Sequence, residues 1–265
     1  MTSETPAPTL AAAPPAAPPA APGATARLPR RATSPGLRQP LRRAFEQLAD
    51  PQPVIDVLEP LATEERRARL LEVIAGRLES VTVAMDAPHD PHNGAAVMRS
   101  CDAFGVYRLH VVERTESFSA SGAVAKGAER WVDVIPHRDV TSAVETLRDT
   151  GHVLVGTHPE GERTPDELAS IPRLALVMGN EHDGICEELA AACDVRVRVP
   201  MRGFVESLNV SVTAAILLSH ATQRRRGDLP ALAQRRLYAR GLALSVPRAL
   251  DVLAAHGIEL LGPRD

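Results

Sequence analysis

The chain has 265 residues, 44% of them hydrophobic and 24% charged, with a formal net charge of −3 at pH 7. That is enough apolar material for one good core. No apolar run reaches the roughly 18 residues a bilayer-spanning helix needs, and the charge excludes a globally basic nucleic-acid binder, so any such binding must come from local patches. The three cysteines, Cys101, Cys186 and Cys193, form no C-x-x-C pair, and their odd number argues against a disulfide framework and for reduced thiols packed as small apolar groups.

Residues 1–40 are rich in Ala, Pro and Arg, a composition that cannot build a core, and they are expected to be disordered. Their arginines, Arg27, Arg30, Arg31 and Arg38, outnumber their one acid, Glu4, so a basic arm that touches RNA and an inert extension both fit. The opening Met1-Thr2-Ser3-Glu4 lacks a basic-then-apolar pattern, and the expectation is a cytoplasmic protein. Residues 41–79 read as helical. Leu70, Leu71, Ile74 and Leu78 recur at near-helical spacing, and Thr63 before Glu64 and Glu65 suits a helix N-terminus. Arg66, Arg67 and Arg69 line its first turns.

Over residues 80–226 strands and helices alternate. Strands are expected over 81–86, 107–112, 133–136, 152–157, 174–178 and in "VRVRVP", which Pro200 ends. Helices are expected over 93–104, 140–149, 187–193 and 208–225. Such alternation predicts a parallel sheet covered on both faces, with ligands at the carboxyl ends of its strands. Residues 227–265 carry two amphipathic helices, 229–240 and 246–256, packed on the core or on a second subunit.

Three loops at strand ends stand out. In "PHNGAAVMRSCDAFG" Asn93 is a candidate helix cap, and Arg99 follows six residues later. In "VMGNEHDGICEEL" a buried-type strand runs into Gly179, Asn180, Glu181 and Gly184; Gly179 would let backbone approach a ligand. In "VPMRGFVESLNVSVTAAILL" Ser207 or Asn209 can cap a long helix, leaving amides near Leu208 to hold an adenine or a carboxylate. Each loop alone is equally well read as an ordinary capped helix or turn. No Gly-rich phosphate loop occurs, and the histidines do not cluster as metal ligands, so no metal is expected.

The three motifs together, in this order and at these separations, closely resemble the signature motifs of the SpoU/TrmH branch of the SPOUT RNA methyltransferases, closest to its tRNA guanosine-2'-O-methyltransferases. The resemblance covers about 60% of the chain. It implies an α/β SPOUT fold, a parallel sheet flanked by helices with a C-terminal trefoil knot, here with N- and C-terminal helical extensions. It implies a homodimer that transfers a methyl group from S-adenosylmethionine to a ribose 2'-hydroxyl, with tRNA as partner and the D-loop guanosine at position 18 as target. Ribosomal RNA methylation and a non-catalytic knotted RNA-binding protein are the alternatives.

Carried onto this sequence, the cofactor would be held by Thr157, Gly179, Val199, Met201, Leu208 and Asn209. Arg99 matches the family's catalytic arginine, and Asn93, Ser207, Asn209 and Glu181 would shape the reacting site. RNA phosphates would meet Arg69, His92, Arg202, Arg224 and Arg225. Family accounts make the arginine a base; because guanidinium groups hold their proton near neutral pH, a fixed cation that stabilises the developing alkoxide is an equally physical role. One departure is Glu206, where many members carry glutamine.

Overall fold

The computed structural model describes residues 38–114, 118, 122–180 and 183–260. The extension expected over residues 1–40 lies outside the described residues as far as residue 37. Its boundary is corrected at the other end, because helix α1 (Arg38–Gln47) already begins at Arg38.

Two further helices follow, α2 (Gln52–Leu58) and α3 (Glu64–Ala75). Thr63 caps α3 as its sequence position suggests, its hydroxyl accepting from the Arg66 N–H at 3.2 Å. Strand β1 (Val81–Asp86) then leads into α4 (Pro91–Ala103) and β2 (Arg108–Val112). A short helix α5 (Gly122–Ala125) precedes β3 (Asp133–His137), α6 (Val140–Asp149), β4 (Val153–Thr157), β5 (Leu174–Met178), α7 (Glu187–Ala192), β6 (Val195–Val197) and α8 (Val210–Thr222). The C-terminal pair is α9 (Ala231–Ser245) and α10 (Ala249–Ala255).

The six strands form one sheet in the order β3-β2-β1-β5-β4-β6, with every pairing parallel. Both faces are covered, and the side-chain alternation of β1 shows how. Val81, Val83 and Met85 pack with α4 and α8, whereas Ala84 packs with α6 and α7. A strand buried on both faces has no solvent-facing positions to alternate, which is why "VTVAMD" is mostly apolar, its two polar residues Thr82 and Asp86 being buried as well. Pro136 sits in β3, an edge strand, where a missing N–H is tolerated.

A second core joins α1, α2, α3, α9 and α10 into one helical layer; Tyr107 is buried in it and the partly buried Trp131 packs against it. Arg240 of α9 reaches Asp133 at 2.6 Å, with both side chains 4% exposed, and Arg42 of α1 stands 4.0 Å from the same carboxylate. Burial works to raise the Asp133 carboxyl, but Arg240 and the hydrogen bonds around it hold it below its ordinary range. Arg77, 1% exposed, ties the start of β1 to the end of α4 through Asp102 and the Val106 carbonyl.

Element ends differ from the expected ones for local reasons. Asn93 does not cap α4. Asp90 does, accepting from the His92 N–H at 2.8 Å, because Pro91 has the fixed backbone angle that the first helical position favours. The long helix expected over 208–225 is shortened to Val210–Thr222, with Asn209 as its cap. The strand expected to run to Pro200 stops at Val197.

Candidate cofactor and RNA site

The carboxyl ends of β4, β5 and β6 open onto a cleft of about 300 Å³, closed on one side by the start of α8. Thr157, Gly179, Val199, Met201 and Leu208 all line it. So do Asn180 of the second motif and His158, Met178, Ile185 and Thr213, the last four of which the motif reading passed over because they are ordinary residues whose position only the folded loops define. Asn209 stands beside the cleft rather than in its wall. Its Oδ1 accepts from the Ser211 N–H at 2.8 Å, and its Nδ2 donates to Asn93 Oδ1 at 3.0 Å. One asparagine therefore caps α8 and ties it to the first turn of α4.

Gly179 is required for a different reason from the one its sequence suggested. A Cβ there would stand 2.1 Å from the Gly184 carbonyl carbon and 2.4 Å from the Ile185 nitrogen, so the close approach is to the chain's own turn. That turn closes through Asn180 N–H to the Gly184 carbonyl at 3.0 Å and Asp183 N–H to Asn180 Oδ1 at 2.8 Å. Gly184 sits at φ +69°, a left-handed conformation that favours glycine. Glu181, expected at the reacting site, lies outside the described residues.

Ser207 and Glu206 line the cleft and are exposed. Arg99 is on the exposed surface of α4 and makes no hydrogen bond or ion pair with the described residues. The chain therefore assembles the cleft set and the Asn93–Asn209 link directly, and leaves the guanidinium of Arg99 available to a ligand.

The expected RNA contacts divide. His92 pairs with Asp90, its Nδ1 3.2 Å from the carboxylate, at the mouth of α4. Arg202 is exposed on the loop before α8, and Arg224 is exposed just past its end. Arg69 is not at the cleft; it pairs with Glu72 at 2.7 Å and borders a groove of about 700 Å³ at the amino end of the sheet. Arg225 is the clearest correction. Its Nε donates to the Ala221 carbonyl at 2.8 Å and its terminal nitrogens to Pro172, Ile171 and Ser80, so it staples α8 to the sheet instead of facing phosphate. Burial pulls its pKa below the ordinary range, with Asp228 opposing.

Among the described residues, no group of three or more His, Cys, Asp and Glu could hold a metal ion, and no helix is long and apolar enough to cross a membrane.

With this geometry in place, known proteins supply the chemistry. The SpoU rRNA Methylase family matches residues 80–219. A tRNA (guanosine(18)-2'-O)-methyltransferase of Thermus thermophilus is 36% identical over 164 residues, 62% of this chain and 84% of that protein. The A. aeolicus TrmH/SpoU tRNA modifying enzyme superposes with a TM-score of 0.62 at 27% identity, covering 70% of this chain and 98% of that one. An AdoMet-bound rRNA methyltransferase from Sinorhizobium meliloti superposes with a TM-score of 0.51 at 27% identity, covering 58% of this chain and 59% of that one.

Proposed function

Because this chain belongs to the SpoU rRNA methylase family, we propose that it transfers the methyl group of S-adenosylmethionine to a ribose 2'-hydroxyl of tRNA, at the D-loop guanosine that its T. thermophilus relative is named for. The observation that carries this reading is the cleft itself. It is walled by apolar side chains and a glycine turn, with a few polar groups at its rim, as a nucleoside-bearing cofactor requires. A neighbour of the same fold is described as AdoMet-bound.

S-adenosylmethionine supplies an electrophilic methyl on a sulfonium centre when bound. The protein's part is to orient and to manage charge. Gly179, Val199, Met201 and Leu208 would hold the adenosine by contact, and Thr157 would offer a hydroxyl at the end of β4. Asn93 and Asn209, linked to each other, would fix the first turns of α4 and α8 against the reacting ribose, with Ser207 beside them. Arg99 would stabilise the alkoxide that develops as the 2'-hydroxyl gives its proton to solvent and attacks the methyl, with S-adenosylhomocysteine as the leaving group, and would clamp the neighbouring phosphate in bidentate fashion.

RNA affinity would come from Arg202, Arg224 and His92, with Arg69 acting at the far groove; these contacts set strength and salt dependence, not base choice. We extend the proposal to a homodimer with the trefoil knot of its family. Phe204 and Val205, 109% and 61% exposed beside the half-exposed Met201, offer an apolar patch suited to a second copy. A cytoplasmic location goes with the substrate.

Ribosomal RNA is the second reading. The tRNA reading is favoured because the chain spans 98% of the A. aeolicus tRNA modifying enzyme and only 59% of the S. meliloti rRNA enzyme. Incubation with labelled S-adenosylmethionine and unmodified tRNA transcripts, then mass-spectrometric mapping, tests it. The expected result is one 2'-O-methylguanosine in the D-loop. Label confined to ribosomal RNA would reassign the substrate, and no label in either would remove the enzymatic reading.

A further inference from the structure

Asp86 is the last residue of β1, a central strand, and it is wholly buried at 0% exposure. One carboxylate oxygen, Oδ2, accepts the Cys186 N–H at 2.7 Å. The other stands 2.9 Å from Arg114 Nε, off the line of a hydrogen bond, so charge is what joins them. Arg114 lies on the loop after β2, with its side chain 35% exposed. A buried carboxylate without a cation is costly, so the pair acts as one unit.

What the pair holds is part of the cofactor cleft. Cys186 is the N-cap residue of α7, directly after the turn that begins at Gly179. Gly179, Asn180, Gly184 and Ile185 from that turn line the cleft. Because a Cβ at Gly179 would collide with the Gly184 and Ile185 backbone, the two arms of the turn are packed without slack and shift together. A pull on Cys186 N–H is therefore a pull on the cleft wall. The Cys186 thiol senses the same trio: burial raises its pKa, Asp86 adds to the rise and Arg114 opposes it.

We propose that the Arg114–Asp86 ion pair is a positioning device for the cofactor, fixing Gly184, Ile185 and Cys186 against Gly179 so that the cleft fits S-adenosylmethionine. The inference rests on the methyltransferase reading above. Neither residue touches the reacting atoms; both act through the turn.

The test measures binding, not turnover. S-adenosylmethionine and S-adenosylhomocysteine are titrated calorimetrically into the full chain without RNA. Arg114→Gln leaves Asp86 uncompensated and is expected to raise both dissociation constants tenfold or more. Arg114→Lys keeps the charge and is expected to lose less than threefold. In Asp86→Asn/Arg114→Gln the neutral amides can pair and still accept from Cys186, so binding is expected to recover to within threefold of the wild type. At saturating cofactor and RNA, kcat of Arg114→Gln should stay within twofold while KM for the cofactor rises.

A dissociation constant for Arg114→Gln within twofold of the wild type, whatever the melting temperature does, overturns the proposal. So does a double variant that folds yet binds no better than Arg114→Gln. If the double variant fails to fold, the Gln-against-Lys contrast at Arg114 decides. A wild-type chain that binds neither ligand would sink the methyltransferase reading itself, whereas normal wild-type binding with an unaltered Arg114→Gln sinks only the positioning role.

Discussion

The amino end of the sheet carries a set of charged side chains that are buried and committed to protein partners, whereas the charged side chains nearest the cofactor cleft are exposed. Arg77, Asp133 and Arg240 are each at most 3% exposed, and Arg225 is bound to backbone carbonyls. Glu206 in the cleft wall and Arg202 on the loop beside it, by contrast, are exposed and make no hydrogen bond or ion pair with the described residues, and the same holds for Arg99 on α4. The difference separates two uses of the same residue types. A guanidinium that already satisfies protein acceptors is fixed and contributes to the fold, whereas one left in solvent can be claimed by a phosphate or a developing alkoxide.

The contrast is broken most sharply at Arg99. Arg99→Ala is expected to lower kcat by 10³- to 10⁴-fold, about 4 to 5.5 kcal/mol of barrier. Because the side chain is exposed and joined to no described residue, cofactor affinity should stay within about threefold and stability within about 0.5 kcal/mol. Single-turnover kinetics, calorimetry and thermal melting read the three quantities separately. Near-full turnover by Arg99→Lys would show that bidentate geometry is irrelevant and would remove the assigned role.

At the other end the pattern should invert. Arg240→Met leaves the Asp133 carboxylate buried with Arg42 as its remaining close cation, and should cost about 3 kcal/mol of stability. The fraction that stays folded should methylate at the wild-type rate. Urea denaturation followed by assay below the transition checks both halves. A large loss of kcat in folded Arg240→Met would mean that the two ends are coupled.

Much of this division was legible beforehand and some was not, for definable reasons. The parallel sheet could be read because strands buried on both faces show as apolar runs, and β1 and β5 begin and end where those runs do. The cleft residues could be found because the second and third motifs mark two of its loops, and five of the six expected cofactor residues line one cavity. Arg225 could not be read correctly. In "ATQRRR" three arginines look alike, and only the close approach of the Ile171–Pro172 carbonyls distinguishes the staple from its exposed neighbours. Asn93 was misplaced as a cap because Asp90 and Asn93 are both good capping residues, and the backbone of Pro91 decides between them. The groove bordered by Arg69 is lined by residues of α3, the end of α4 and the end of α8, which are far apart in sequence and leave no local pattern.

The smallest expected effect is pH-dependent and concerns the sheet's α6 face. His110 on β2, 5% exposed, places Nδ1 2.8 Å from His137 Nε2 with the rings stacked 5.1 Å apart. Burial first, and His137 second, pull the His110 pKa down to about 3. The unfolded chain takes up this proton near pH 6.5, and the folded chain refuses it until about pH 3, so stability falls as the pH drops through that window. For His110 alone the loss between pH 7 and 5 is about 2 kcal/mol.

Glu46 has the opposite sign. Burial, then Asp133, pushes its carboxyl up to about 7, so it costs stability as the pH rises from about 4.5. The absolute slope therefore mixes both, and the informative quantity is the difference between the wild type and His110→Asn. The gap in urea-unfolding free energy should shift by about 2 kcal/mol in the variant's favour from pH 7 to pH 5. A constant gap would mean that His110 is protonated in the folded chain and that its stacked partner tolerates the charge.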